Sequence, residues 1–230
     1  MISRTLITVL FILLIISGAL VNYLDAKKTK DFSEEEYIES RLNELGYPPY
    51  VYDASALKPV PGEVYLPVKN FYENQTVNPF GVYRSGRFLG YHSGVDIEVD
   101  PQDIARKVPV YSIFDGEVKV IKAANGYGGV VAVEHTFGEI KLIGIYGHVR
   151  LWDVNVKMGQ KITSGYLIGY LGADYSNETD GERKHLHFGL SKKEDVDIKG
   201  YVEGLQELKE NFINPSDFLK EAAAQPVPNP

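Results

Sequence analysis

The sequence predicts a mostly β domain, an antiparallel sandwich or barrel-sandwich, with an N-terminal membrane helix and short peripheral helices. Three observations carry that expectation. Between about Glu63 and Leu190, short apolar runs alternate with glycine-containing turns, the spacing of an antiparallel sandwich or barrel. Tyr (16) and Gly (22) are abundant and Met (2) is scarce, which favours strands joined by tight turns. Helical periodicity falls mainly outside this stretch. With 230 residues, 44% hydrophobic and 24% charged, the chain has a globular composition and can bury a real core. The absence of cysteine excludes disulfide scaffolds, thiolate metal sites and cysteine nucleophiles. A net charge of −7 without a basic stripe argues against a nucleic-acid partner.

The elements follow in order. Thr5 to Leu24 is a run of 20 residues without a charge, long enough as a helix to cross a bilayer of about 30 Å, with Arg4 before it. Residues 1–26 are read as a signal anchor, or as a signal peptide cleaved near Ser17 and Ala19. Either places the rest outside the cytoplasm, anchored to the membrane or secreted. Residues 27–62 form a helical and linker segment. Ser33 and Glu36 make a capping box, Ile38, Leu42 and Leu45 share a helix face, and a proline-rich loop follows. Residues 63–220 are the main domain. Its clearest strands are Val108–Ser112, Gly116–Ile121, Gly129–His135, Ile140–Tyr146 and Tyr166–Leu171. Val202, Leu205, Leu208 and Phe212 mark a peripheral helix, and Asn214-Pro-Ser starts a second. Residues 221–230 are read as a disordered tail with three prolines.

The histidines carry the chemistry. A turn at His92-Ser-Gly-Val-Asp96 brings an imidazole and a carboxylate to one point. His185-Leu-His187 lies where a strand is expected, so both imidazoles share a face. His148 follows Gly147, where glycine lets the backbone turn toward a ligand. A catalytic zinc needs three protein ligands and one open position, and two His with one Asp leave it a net charge of about +1. The sequence offers His92, Asp96 and one histidine of the pair as ligands, with the other and His148 beside them as proton carriers. Spacing leaves open which of His185 and His187 ligates. His135 has no motif partner and is read as a surface or turn histidine.

These residues resemble the lysostaphin or LytM-type zinc metallopeptidases, which cut peptide bonds in bacterial peptidoglycan. That family carries His-x-x-x-Asp, an intervening catalytic His, and His-x-His. His92–Asp96, Tyr146-Gly-His148 and His185-Leu-His187 match in that order. Val108–Val118, Gly126–Val131, Val156–Gly172 and Asn214–Leu219 are similar to its other strands and turns. The resemblance implies one zinc per chain on His92, Asp96 and His187. It implies catalytic roles for His148 and His185; of the two, His185 is read as the general base because it shares a strand face with His187. It also implies a peptidoglycan peptide substrate. The loop Ala173–Lys184 departs from the family by being longer and charged, and it should border the substrate groove. Its acidic residues are most simply solvated, and could also favour cationic peptide stems. Tyr91, Tyr127, Tyr146 and Tyr170 either pack on the sheet or line a groove, and Trp152 is read as a packing residue. Residues 47–74 could cover the groove in a resting form, with Asn70, Asn74 and Asn78 as loosely motivated extra ligands. The competing reading is a non-hydrolytic envelope scaffold, or an activator of another hydrolase, with an envelope protein partner. A biotinyl or lipoyl carrier is excluded by the lack of its lysine motif.

Overall fold

The computed structural model describes residues 63–75 and 77–224. The apolar run at 5–24, the helix expected from Ser33 and the prolines of 225–230 lie outside the described residues.

The strands are β1 (Tyr83–Arg84), β2 (Gly90–His92), β3 (Gly94–Glu98), β4 (Pro109–Tyr111), β5 (Gly116–Ala124), β6 (Gly128–Phe137), β7 (Ile140–Gly147), β8 (Lys161–Ile162), β9 (Leu167–Tyr170), β10 (His185–Ser191), β11 (Tyr201–Val202) and β12 (Phe212–Ile213). Two α-helices follow the main strands, α1 (Leu205–Asn211) and α2 (Pro215–Ala223). The main sheet runs β12-β10-β7-β6-β5-β8, with β3 also paired to β10. Smaller sheets are β1-β2-β11 and β4-β9. The pairings are antiparallel, and among the described residues no sheet closes into a barrel.

The β6–β7 hairpin turns through Gly138-Glu139, and Gly138 supplies the positive φ (57°) that a two-residue turn needs. Alternation within β6 explains its unbroken apolar sequence. Val131 and Val133 join one core, while Val130 and Ala132 join a second on the opposite face. A strand covered on both sides reads as a continuous apolar run. In β10, Leu186, Phe188 and Leu190 enter the first core. His185 and His187 therefore lie on the other face.

The expected peripheral helix is shorter than its apolar pattern. Val202 belongs to β11 and Phe212 to β12, and only 205–211 is helical. Both residues still pack with Leu208 in the second core. Helix α2 starts after Asn214, whose side chain accepts from the Ser216 amide at 3.1 Å, and it runs past residue 220 to Ala223.

His135 corrects the sequence reading. It is 1% exposed, a core residue on β6 rather than a surface or turn histidine. Its Nδ1 lies 3.2 Å from the Phe114 carbonyl, which can only accept, so Nδ1 carries the hydrogen. Nε2 then accepts from the Tyr146 hydroxyl at 2.9 Å, and that hydroxyl accepts from the Ile113 amide at 3.1 Å. Burial pushes the imidazole pKa down to about 4. In the unfolded chain it returns to about 6.5. Between those values the unfolded state binds the extra proton, so stability falls as pH drops from 6.5 toward 4, by roughly 1.4 kcal/mol per unit. Urea unfolding of wild type and His135→Gln should show the cost of the substitution shrinking between pH 7 and pH 4.5. An unchanged cost would mean that His135 is not neutral in the fold.

Candidate functional site

Three strands deliver the site. His187 on β10 pairs across to Asp96 on β3 and, on its other side, to Gly147 on β7. His92 ends β2, and Ser93 breaks the chain before β3 begins. The expected simple turn over 92–96 is thus a bend between two strands. It is locked by the Ser93 amide on the Gly200 carbonyl (3.0 Å) and Ser93 Oγ on the Lys199 carbonyl (2.5 Å). At 148 the turn is made by the histidine itself, which has φ 61°. Gly147 has a different task, because a Cβ there would lie 2.3 Å from the Tyr127 ring. A non-glycine residue at positive φ is uncommon and is held only by its surroundings.

The sequence-derived ligands converge. His92 Nε2 lies 2.9 Å from His187 Nδ1 and 3.3 Å from Asp96 Oδ1, and His187 Nδ1 lies 3.2 Å from the same oxygen. These residues are the group able to hold a metal among the described residues, and all three are buried. Ligands at 2.0–2.1 Å around a tetrahedral ion sit about 3.3 Å apart. The trio therefore has the size of one face of that tetrahedron. The protons point the same way. His92 Nδ1 is 3.2 Å from the Pro79 carbonyl and carries its hydrogen there, leaving Nε2 bare. A bare nitrogen and a carboxylate oxygen then face each other across 3.3 Å, an arrangement that a cation relieves.

Asp96 Oδ2 has ordinary partners. Asn78 Nδ2 donates at 2.9 Å, Arg183 Nη2 lies at 3.3 Å and His185 Nε2 at 3.5 Å. Burial raises the Asp96 pKa, but the imidazoles of His185, His187 and His92 around it outweigh that and hold the carboxyl well below its usual range. Burial lowers the His187 pKa to about 4, which keeps it neutral and able to ligate.

His185 and His148 stand beside the trio with ring centroids 4.2 Å apart. His185 Nδ1 donates to the Arg183 carbonyl at 2.7 Å, and His148 Nδ1 to the Tyr127 carbonyl at 2.9 Å. Each hydrogen bond leaves Nε2 bare. Burial, followed by the charges of His185 and His187, depresses the His148 pKa well below its ordinary value. All five sequence-derived residues thus meet at one place. Asp96, His148, His185 and His187 line a cleft of about 540 Å³.

Other residues of this cleft carried no motif. Asn78 presents its amide nitrogen to Asp96, and Asn70 and Asn74 bind Asp100 instead. Tyr201 lies 5.0 Å from the His92 ring and is stacked by Phe88 at 5.5 Å. Of the four tyrosines singled out in the sequence, Tyr127 lines the cleft, with its ring edge-on to His187, while Tyr146 is a core residue. Trp152 is 67% exposed, with the Arg150 guanidinium over its ring, so it is not a packing residue. The acidic loop is not a free anionic patch. Asp174 accepts from the Lys184 amide, Glu178 from Arg150, and Asp180 and Glu182 from Arg87.

Residues 90–198 match the model of Peptidase family M23. Over these residues the domain is similar to the lysostaphin/LytM type. An uncharacterized protein of Haemophilus influenzae is 38% identical over 85 residues, covering 37% of this chain and 18% of its own length. The match to this relative thus spans less than a fifth of it. The crystal structure of cbpa from L. salivarius REN shares the fold, with TM-score 0.50 and 21% identity over 71% of this chain and 98% of that one. Lysostaphin from Staphylococcus simulans superposes with TM-score 0.47 and 21% identity, covering 74% of this chain and 61% of that one. M23 is a zinc-dependent peptidase family, some of whose members are inactive.

Asn78→Ala should release Asp96 Oδ2 and weaken zinc binding by about 10- to 100-fold. Competition with a chromophoric chelator measures this, and an unchanged affinity would show that the amide does not orient the carboxylate.

Proposed function

We propose that the chain is a zinc-dependent endopeptidase that hydrolyses peptide bonds of peptidoglycan outside the cytoplasm. The observation that carries this reading is the pairing of a three-ligand cluster with two adjacent imidazoles whose bare Nε2 atoms share its cleft. Members of the family that have lost activity usually lack one or more of these positions.

His92 Nε2, Asp96 Oδ1 and His187 Nδ1 would hold the zinc. When bound, zinc supplies a Lewis acid that polarises a peptide carbonyl and lowers the pKa of a water. The remaining chemistry belongs to the chain. His185 accepts the proton of the attacking water at Nε2, because its Nδ1 hydrogen is tied to the Arg183 carbonyl. The imidazolium so formed lies 3.5 Å from Asp96 Oδ2, which stabilises it. His148, held by the Tyr127 carbonyl, shares the proton work and steadies the developing negative charge. A protonated imidazole then returns the proton to the leaving amine. The cleft walls orient the peptide and limit water. The run Thr5–Leu24 serves as anchor or cleaved signal.

The test uses the full chain, zinc-loaded, on isolated sacculi, with released fragments identified by mass spectrometry. New peptide ends should appear and should vanish with chelator. His185→Ala should retain one zinc and lose turnover by at least about 10²-fold, whereas His187→Ala should lose the zinc. Full activity at pH 4 would overturn the scheme, because metal ligation and general-base catalysis both need deprotonated groups. Tight zinc without cleavage would favour the scaffold or activator reading instead.

A further inference from the structure

Three guanidinium groups line the cleft, from Arg84, Arg87 and Arg183. Two are neutralised where they stand. Arg87 bonds Asp180 Oδ2 at 2.6 Å and Glu182 Oε1 at 2.9 Å. Arg183 grips Glu98 with Nε at 2.9 Å from each oxygen and Nη2 at 2.5 Å, and reaches Asp96 as well. Arg84 differs. Among the described residues it has no acidic partner. It is nevertheless held, by Nε on Asn78 Oδ1 at 3.0 Å and Nη2 on the Val77 carbonyl at 2.8 Å. Those two bonds use one edge of the fork. The outer edge, Nη1 with the second hydrogen of Nη2, has no hydrogen-bond partner among the described residues, and Arg84 is exposed at the cleft wall.

A positioned guanidinium with an open edge and no counter-charge is a receptor for a planar anion, and the carboxylate is the one that peptides carry. Its placement limits where that carboxylate sits. Arg84 Nε and Asp96 Oδ2 are joined through the single amide of Asn78, by bonds of 3.0 and 2.9 Å. These two atoms are therefore at most about 8 Å apart, which places the guanidinium beside the ligand cluster, within a few extended residues of it. We propose that Arg84 is a substrate-carboxylate site, so that the cleft selects peptides bearing a free carboxylate near the bond that is cut. This rests on the peptidase reading above. It reverses the preference for cationic stems that the acidic loop suggested, because the acids of that loop are already engaged by Arg87, Arg150 and a backbone amide.

The probe is a fluorescein-labelled wall stem tetrapeptide in four forms: side-chain and terminal carboxylates both free, either one amidated, or both amidated. Anisotropy titration uses the metal-free full chain, and kcat/KM is measured on the zinc-loaded one. Amidating the recognised carboxylate should weaken binding about 10-fold or more, and the two singly amidated forms identify whether it is the side-chain or the terminal group. Arg84→Gln should bind the acid and amide forms alike, while Arg84→Lys should keep part of the preference, with zinc content unchanged in both. Equal binding of all four forms by wild type, or a preference that survives Arg84→Gln, overturns the proposal. If the zinc-loaded chain cleaves neither these peptides nor isolated sacculi, the peptidase reading fails, and the titration still judges the carboxylate site.

Discussion

The register of β10 between β3 and β7 is the constraint on which the site depends. His187 stands opposite Asp96 on one neighbour and Gly147 on the other. What fixes that register lies on the other face, where Leu186, Phe188 and Leu190 are fully buried. Each such side chain contributes roughly 1.5–3 kcal/mol of burial free energy. A slip of one residue would push imidazoles into the core and these side chains into the cleft. The ligand geometry is thus enforced by apolar packing that never touches the cleft. Small neighbours complete the arrangement. A Cβ at Gly94 would lie 2.8 Å from His187 Nε2, and one at Gly147 would strike Tyr127.

Burying a carboxylate costs several kcal/mol unless it is paired and hydrogen-bonded. Asp96 divides the task between its oxygens. Oδ2 takes the conventional donors, Asn78 and Arg183. Oδ1 faces only His92 and His187, which the tautomer of His92 makes a poor partnership without a cation. The same principle of local hydrogen bonds fixing a distant nitrogen recurs at His148 and His185. A backbone carbonyl holds each Nδ1, and the two Nε2 lone pairs are left for proton transfer. The tautomers of these two imidazoles are therefore set by the main chain.

The histidine and aspartate motifs were legible because each is short and its spacing maps directly onto strand geometry. The long strands β5, β6 and β7 were legible because their apolar runs end at glycine turns. Strands of two residues, such as β1, β11 and β12, leave no period to read. The bend at Ser93 was not legible either, because bonds to Lys199 and Gly200 impose it from more than a hundred residues away. Asn78 and Tyr201 lie 123 residues apart and share a hydrogen bond of 2.7 Å, a contact that no local motif announces. His135 misled for a related reason. Its partners Phe114 and Tyr146 are neighbours only through the sheet, so the sequence showed an isolated polar residue where the fold has a satisfied core histidine.

The Asn78 amide couples the two ends of the cleft. Its oxygen accepts from Arg84, and its nitrogen donates to both Asp96 and Tyr201. The amide cannot be reversed without setting its oxygen against a carboxylate and its NH₂ against a guanidinium. Its orientation is therefore determined from both sides at once. The group that aligns the metal-facing carboxylate also aligns the cation at the cleft wall. Arg84 and Asp96 are thus each oriented by one end of the same buried amide.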